Sequence, residues 1–284
     1  MHLVTKFLIN LKNFGLKSTL IKTLNWTKYK VLFNFNLVDQ INVRRTYLSK
    51  YFDRKYNSTI LYGEFKGLKL SKNPWGITDR ASMIFGIYER EVTEFLKKIP
   101  HAFKKNLINL GASDGYYPIG LIYNQSYKKA YCFEINELSR QAIKNNSIIN
   151  KVDKSIKIFE KADKNFYKYL PEAIVNNSTL LVDIEGAEFD ILTEKVLKKF
   201  SNSILLIELH YHLRKENDQN VRVFDKNIDM IFNKKFFTTS ARDLSQFPEL
   251  SNFTDNDRWL ICSEGRAKLP HWVILWPKDK KLKF

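Results

Sequence analysis

The stretch Leu180-Leu181-Val182-Asp183-Ile184-Glu185-Gly186-Ala187-Glu188 decides how this chain is read. An uninterrupted apolar run bounded by turn chemistry fits a strand buried on both faces. It ends in three carboxylates grouped around one glycine. Like charges this close are costly unless they face a cation, hydrogen-bond donors or water. The plainer alternative is a solvated loop whose acids favour the first turn of the next helix.

Working outward, the same pattern repeats on both sides. Strands are predicted over 106–110, 129–134, 155–160, 178–184 and 203–210, with helices near 116–124, 137–149, 165–174 and 187–199 between them. A helix near 221–234 and strands near 235–240 and 258–263 follow. This alternation predicts an α/β fold: a doubly wound, mostly parallel, seven-stranded Rossmann-like sheet covered on both faces. Ahead of it, apolar spacing predicts one helix over 80–98, ended by Pro100. Residues 57–72 alternate around Gly63 and Gly67 as a short hairpin, and Asn73-Pro74-Trp75-Gly76 reads as a turn. Two parts are therefore expected: a basic N-terminal extension of helices and a short hairpin over 1–75, and a main domain over 76–284.

In such a sheet, ligands bind beyond the carboxyl ends of the strands, where the strand order reverses. The first strand runs into Asn109-Leu-Gly111-Ala112-Ser-Asp114-Gly115, a turn that lets the backbone approach a ligand and opens a helix whose N–H groups can hold a carboxylate. It lacks the three spaced glycines of a dinucleotide fingerprint, which argues against an NAD enzyme. The second strand ends in Glu134, about 20 residues on, where an acid can accept from both ribose hydroxyls. Asp163, after the third strand, either accepts from an adenine amino group or caps the next helix. The fifth strand runs into Glu208-Leu-His210-Tyr-His212, and strict alternation would put these three polar residues on one face beside Asp183. An imidazole with a carboxylate partner can serve as general base near neutral pH. Asp183, Glu208 and His210 could instead hold a hard divalent cation.

Together these segments resemble the FkbM-type class I methyltransferases. The resemblance rests on Asn109–Gly115, Phe133-Glu134, Leu181–Glu188 and Ile207–His210, with Phe85-Gly-Ile-Tyr-Glu89 upstream and Arg258-Trp-Leu260 and Ser263-Glu-Gly-Arg266 downstream. It spans about residues 60–276. It implies that Glu89, Asn109, Gly111, Ala112, Asp114, Gly115, Glu134, Asp163, Asp183 and Glu185 line a site for S-adenosyl-L-methionine. It also implies O-methylation of a hydroxyl, in a glycan or a secondary metabolite. Within that expectation His210 is the base, Glu208 orients it, and Asp183 lies between cofactor and acceptor or helps hold a metal. Two departures are visible: Asn109 stands where the family usually has an acid, and Ser113-Asp114 replaces a pair that usually contains Asn.

Charge and cysteines bound the remaining choices. The chain has 284 residues and a formal charge of +17. Residues 1–80 carry 15 Lys/Arg against 4 Asp/Glu. Such an excess suits an anionic membrane, an acidic glycan or nucleic acid, or is simply a solvated lysine-rich surface. Apolar residues at helical spacing within 1–35 allow an interfacial helix on the inner membrane surface, or ordinary packing against the domain. No uncharged run is long enough to span a bilayer and no secretory signal is evident, so a cytoplasmic protein is expected. Cys132 and Cys262, both in apolar runs read as strands, are expected to be buried free thiols. A small-molecule or glycan acceptor is favoured over nucleic acid, because Asp-Ile-Glu-Gly stands where an aromatic platform for a flipped base would sit. A non-catalytic binding protein on the same sheet is the other alternative.

Overall fold

The computed structural model describes residues 39–71, 77–266 and 268–284, with scattered helical positions between 11 and 27. The expected turn at 73–76 lies outside the described residues, as does most of the basic segment 1–35. Leu16, Leu20, Ile21 and Leu24, helical positions within that segment, are exposed.

Seven strands form one sheet: β1 (Asn106–Leu110), β2 (Lys129–Phe133), β3 (Ile156–Phe159), β4 (Thr179–Val182), β5 (Ile204–Glu208), β6 (Phe232–Phe237) and β7 (Trp272–Pro277). Their order is β3-β2-β1-β4-β5-β7-β6. The first five are parallel, and β7 runs antiparallel to both β5 and β6. This is the expected doubly wound, mostly parallel α/β sheet of seven strands. The order reverses between β1 and β4, so β1, β2, β4 and β5 all end at one crevice.

Alternation along the strands divides the core between two faces. Ile108, Leu110, Leu180, Val182, Leu205 and Ile207 pack on one side against the short helices α7 (Glu188–Ile191) and α8 (Glu194–Lys199) and against α9 (Gln219–Ile231). Leu107, Cys132, Leu181, Leu206, Trp272 and Ile274 pack on the other. There they meet α3 (Arg90–Lys98), α4 (Tyr116–Tyr123) and α5 (Glu137–Ile149). A third cluster joins α1 (Gln40–Lys55), α2 (Arg80–Ile84) and α10 (Asp255–Cys262) through Leu48, Phe52, Ile84, Phe85 and Ile261. Helix α1 thus packs against α2 and α10. Arg44 pairs with Asp257 at 2.6 Å, and the Arg45 guanidinium fills the space beside Gly265.

Several expected elements differ. The strand expected at 258–263 is helix α10, capped by Thr254, whose side chain accepts from the Asp257 N–H. Cys262 is accordingly half-buried on a helix, whereas Cys132 is buried in β2, and both are free. The last strand lies instead at Trp272–Pro277. The helix over 80–98 is two helices, because Glu89 adopts a left-handed conformation with φ 41°. The stretches 165–174 and 187–199 likewise break, the first into a 3₁₀ turn and the short helix α6 (Glu172–Val175), the second into α7 and α8. Strand β6 begins three residues before its expected start. Residues 57–71 do fold back as a short hairpin, with an antiparallel bridge between Thr59 and Lys69 and backbone N–H groups of Ile60 and Leu70 donating to the Leu68 and Ser58 carbonyls at 2.9 Å. Among the described residues no helix is long and apolar enough to cross a membrane.

Candidate active site

The crevice is assembled at the switch point by backbone contact. Gly111, at φ 78°, lies so close to β4 that a Cβ there would meet the Asp183 carbonyl oxygen at 1.7 Å. The Asp183 N–H donates to the Leu110 carbonyl at 3.0 Å. Only glycine permits both the conformation and the approach, and together they lock the turn after β1 to the end of β4.

Glu134 joins the same turn from β2. Its Oε2 accepts from the Ser113 N–H and its Oε1 from the Asn136 N–H, both at 2.8 Å. Glu134, the turn at 111–115 and Asp183 therefore converge on one crevice. Other expected ligands are placed differently. Asn109 is buried in β1, where its amide donates to the Leu181 carbonyl at 3.3 Å, below the turn. The Asp114 carboxylate accepts from the Tyr116 N–H at 3.2 Å and faces the buried Arg80 at 3.8 Å. Asp163 is exposed and accepts from the Asn165 N–H at 2.7 Å, an i to i+2 turn just ahead of the 3₁₀ turn, whose N-cap position is Asn165.

Glu89 reaches the crevice from the left-handed junction ahead of α3 and is almost wholly buried. It accepts from the Tyr117 hydroxyl and pairs with Arg266. The Arg266 guanidinium also donates to Glu208 Oε1 at 2.7 Å and to Glu264 at 3.0 Å. One side chain from the segment between α10 and β7 thus ties together three carboxylates from separate parts of the chain. Behind it, Arg242 donates to Glu91 at 2.6 Å and to Glu264 at 3.3 Å. Burial lifts Glu264 to about 7, against the pull of Arg242. A cavity of about 370 Å³ lies beside Arg266 and is lined also by Ser240, Arg242, Glu264, Lys268 and Pro270.

At the β4 and β5 ends the chemistry is concentrated around His210. Strand β5 stops at Glu208 and Tyr211–Leu213 forms a 3₁₀ turn, so the expected alternation of Glu208, His210 and His212 does not continue. His210 Nε2 nevertheless lies 3.5 Å from Glu185, 3.8 Å from Asp183 and 3.9 Å from Glu208. Its Nδ1 is 3.3 Å from Glu188, outside hydrogen-bond geometry. Glu188, fully buried, accepts from the backbone N–H groups of His210 at 2.7 Å and Gly186 at 2.9 Å. It is thus Glu188 that fixes the loop carrying His210, while Glu208 is bound by Arg266.

Burial and the repulsion of neighbouring acids push Asp183 and Glu208 up. Arg266 opposes this at Glu208, but it reaches one oxygen only, and the burial of two adjacent acids outweighs it. At His210 burial lowers the pKa, yet Glu188, Asp183 and Glu185 raise it on balance. Sequence reading named Arg266 and Glu188 within motifs without giving them a role. Nothing in the sequence pattern singled out Tyr117 or Arg242, whose partners are distant along the chain.

No family model matches the chain, and no curated protein matches it significantly. Many solved structures are similar to part of the chain at low identity. One is the m1A22 tRNA methyltransferase TrmK of B. subtilis (11% identity, 66% of this chain and 65% of that one, TM-score 0.43). A second is M. capricolum TrmK in complex with S-adenosyl-homocysteine (18%, 67% and 68%, 0.43). A third is a precorrin-6y C5,15-methyltransferase from Geobacter metallireducens (9%, 66% and 89%, 0.44). At these levels no residue's role carries over from them.

Proposed function

We propose that the protein is an S-adenosylmethionine-dependent methyltransferase of the FkbM type that methylates a hydroxyl oxygen. The observation that carries this reading is the convergence of the turn at 111–115, Glu134 and Asp183 on one crevice at the switch point. The residues fit the group. Glu134 offers a carboxylate to the ribose hydroxyls, the turn at 111–115 offers a close backbone approach, and the surplus of carboxylates around His210 suits a sulfonium. When bound, the cofactor supplies an electrophilic methyl carbon: the C–O bond forms as the C–S bond breaks, with the electron pair staying on sulfur.

This chain's own residues hold and orient both partners and deal with the acceptor's proton. Glu89 closes the pocket beside Tyr117. Asp183 stands between the cofactor and acceptor ends, with Glu208 beside it. His210, buried and making no side-chain hydrogen bond among the described residues, is the group that activates the hydroxyl. The cavity beside Arg266 is the acceptor's side, and a small molecule or glycan is the preferred class. A methyl-transfer screen over sugars, glycans, phenolic metabolites and tRNA tests this. Methylated oxygen on a sugar or metabolite supports the reading. Methylation of a tRNA base nitrogen would replace it, and cofactor binding without turnover on any acceptor would favour a binding protein. Contact of the basic residues 1–35 with an anionic membrane at the inner surface belongs to the same proposal, and is tested by sedimentation with anionic and neutral vesicles.

A further inference from the structure

We infer that Asp183, Glu185 and His210 form a divalent-cation site of the Mg2+ or Mn2+ class at the acceptor end of the crevice. One ligand atom from each lies within 4.8 Å of the other two. A second observation points to an occupant: the His210 side chain is only 7% exposed, and Nε2, which makes no hydrogen bond, faces Asp183 and Glu185. Asp183 Oδ1 is likewise buried with no hydrogen-bond partner. A buried polar atom left like Asp183 Oδ1 is rare, and Nε2 of the buried imidazole faces the same small space.

The donor set selects the ion. Two carboxylates and one imidazole, with room for water, suit a hard octahedral cation. The separations of 3.5 and 3.8 Å at Nε2 exceed the roughly 3 Å between adjacent ligands of such an ion, so the cluster must contract slightly. Glu185, whose side chain is 82% exposed at the left-handed position after β4, is free to move inward. Glu208 is not a ligand here, because Arg266 holds its Oε1. Charge agrees: Arg266 and Arg242 serve Glu89, Glu91, Glu208 and Glu264, whereas Asp183 and Glu185 have only the imidazole.

Resting on the proposed methyl transfer, this gives His210 its mode of action. A cation bound to the acceptor oxygen lowers that hydroxyl's pKa. Its proton leaves to solvent water, and Nε2 acts as a ligand rather than as the base.

The test is titration of the purified full chain with Mn2+ alone, followed by electron paramagnetic resonance of the free ion. One saturable site per chain is expected, displaced by Mg2+. Glu185→Gln, an exposed and well-tolerated change, should weaken it at least tenfold, as should His210→Ala, while Glu137→Gln on the exposed start of α5 should not. Absence of saturable binding at millimolar Mn2+, or binding unchanged by Glu185→Gln, would overturn the site. Since no acceptor or cofactor is present, failure here leaves the methyltransferase reading standing, and the converse also holds.

Discussion

The two ends of the crevice are built on different principles. At the β1–β2 end, a carboxylate meets backbone N–H groups: Glu134 is bonded to Ser113 and Asn136. At the β4–β5 end, carboxylates meet one another, with Asp183, Glu185, Glu188 and Glu208 around a single imidazole and Arg266 at the rim. A carboxylate satisfied by fixed backbone donors is a preorganised binding element. Carboxylates crowded with few donors store electrostatic free energy that a bound cation or a proton transfer releases. The first end is suited to holding a ligand, and the second to chemistry.

Substitutions can break this comparison. The largest effect is expected for His210→Ala, which should lower kcat by about 10³-fold with cofactor affinity within about 2-fold, as read by steady-state kinetics and calorimetry. An equal loss at both ends would erase the distinction. Gly111→Ala should disturb both ends, since its Cβ meets Asp183 backbone at a left-handed φ. A loss of more than about 3 kcal/mol in denaturant unfolding is expected. Arg266→Gln removes the partner of Glu89, Glu208 and Glu264. Because Arg266 is partly exposed, about 2 kcal/mol of stability should be lost, with turnover reduced more than cofactor binding.

Smaller effects sharpen the first end. Glu134→Ala should weaken cofactor binding by about 10-fold or more, as expected for charged hydrogen bonds, while kcat at saturation stays within a few-fold. Asp163→Ala separates its two readings. A residue that only caps its turn should cost about 1 kcal/mol of stability and leave affinity unchanged, whereas an adenine contact should show as several-fold weaker binding.

The sequence carried the sheet well where strands are buried on both faces. Residues 106–110, 129–134 and 178–184 read as strands because a short apolar run between turn signals, flanked by helical patterns, has few other solutions. It misled where a short apolar run stood alone. Trp259-Leu-Ile-Cys262 is equally compatible with helix and strand, and the Thr254 cap with Asp255 and Asp257 in the first turn was the deciding helix signal. The longer run Trp272-Val-Ile-Leu-Trp276 is the true strand. The helix over 80–98 kept its apolar spacing across the break at Glu89, because both halves face the core.

The same contrast holds for the site. Glu134 and Asp183 were legible because strand ends at a switch point must meet. The Arg266 bridge was not, since it joins positions 89, 208 and 264 through tertiary packing alone. The role of Glu188 also depended on a turn, at 211–213, that ends the alternation expected beyond β5.

The most direct test is calorimetric titration of the purified, folded chain with S-adenosylmethionine, alongside Glu134→Ala. A crevice organised as described should bind one molecule with a Kd below about 100 µM, some 5.5 kcal/mol or more, and the variant should bind distinctly more weakly. Folded protein that shows no saturable heat at millimolar cofactor would contradict the account.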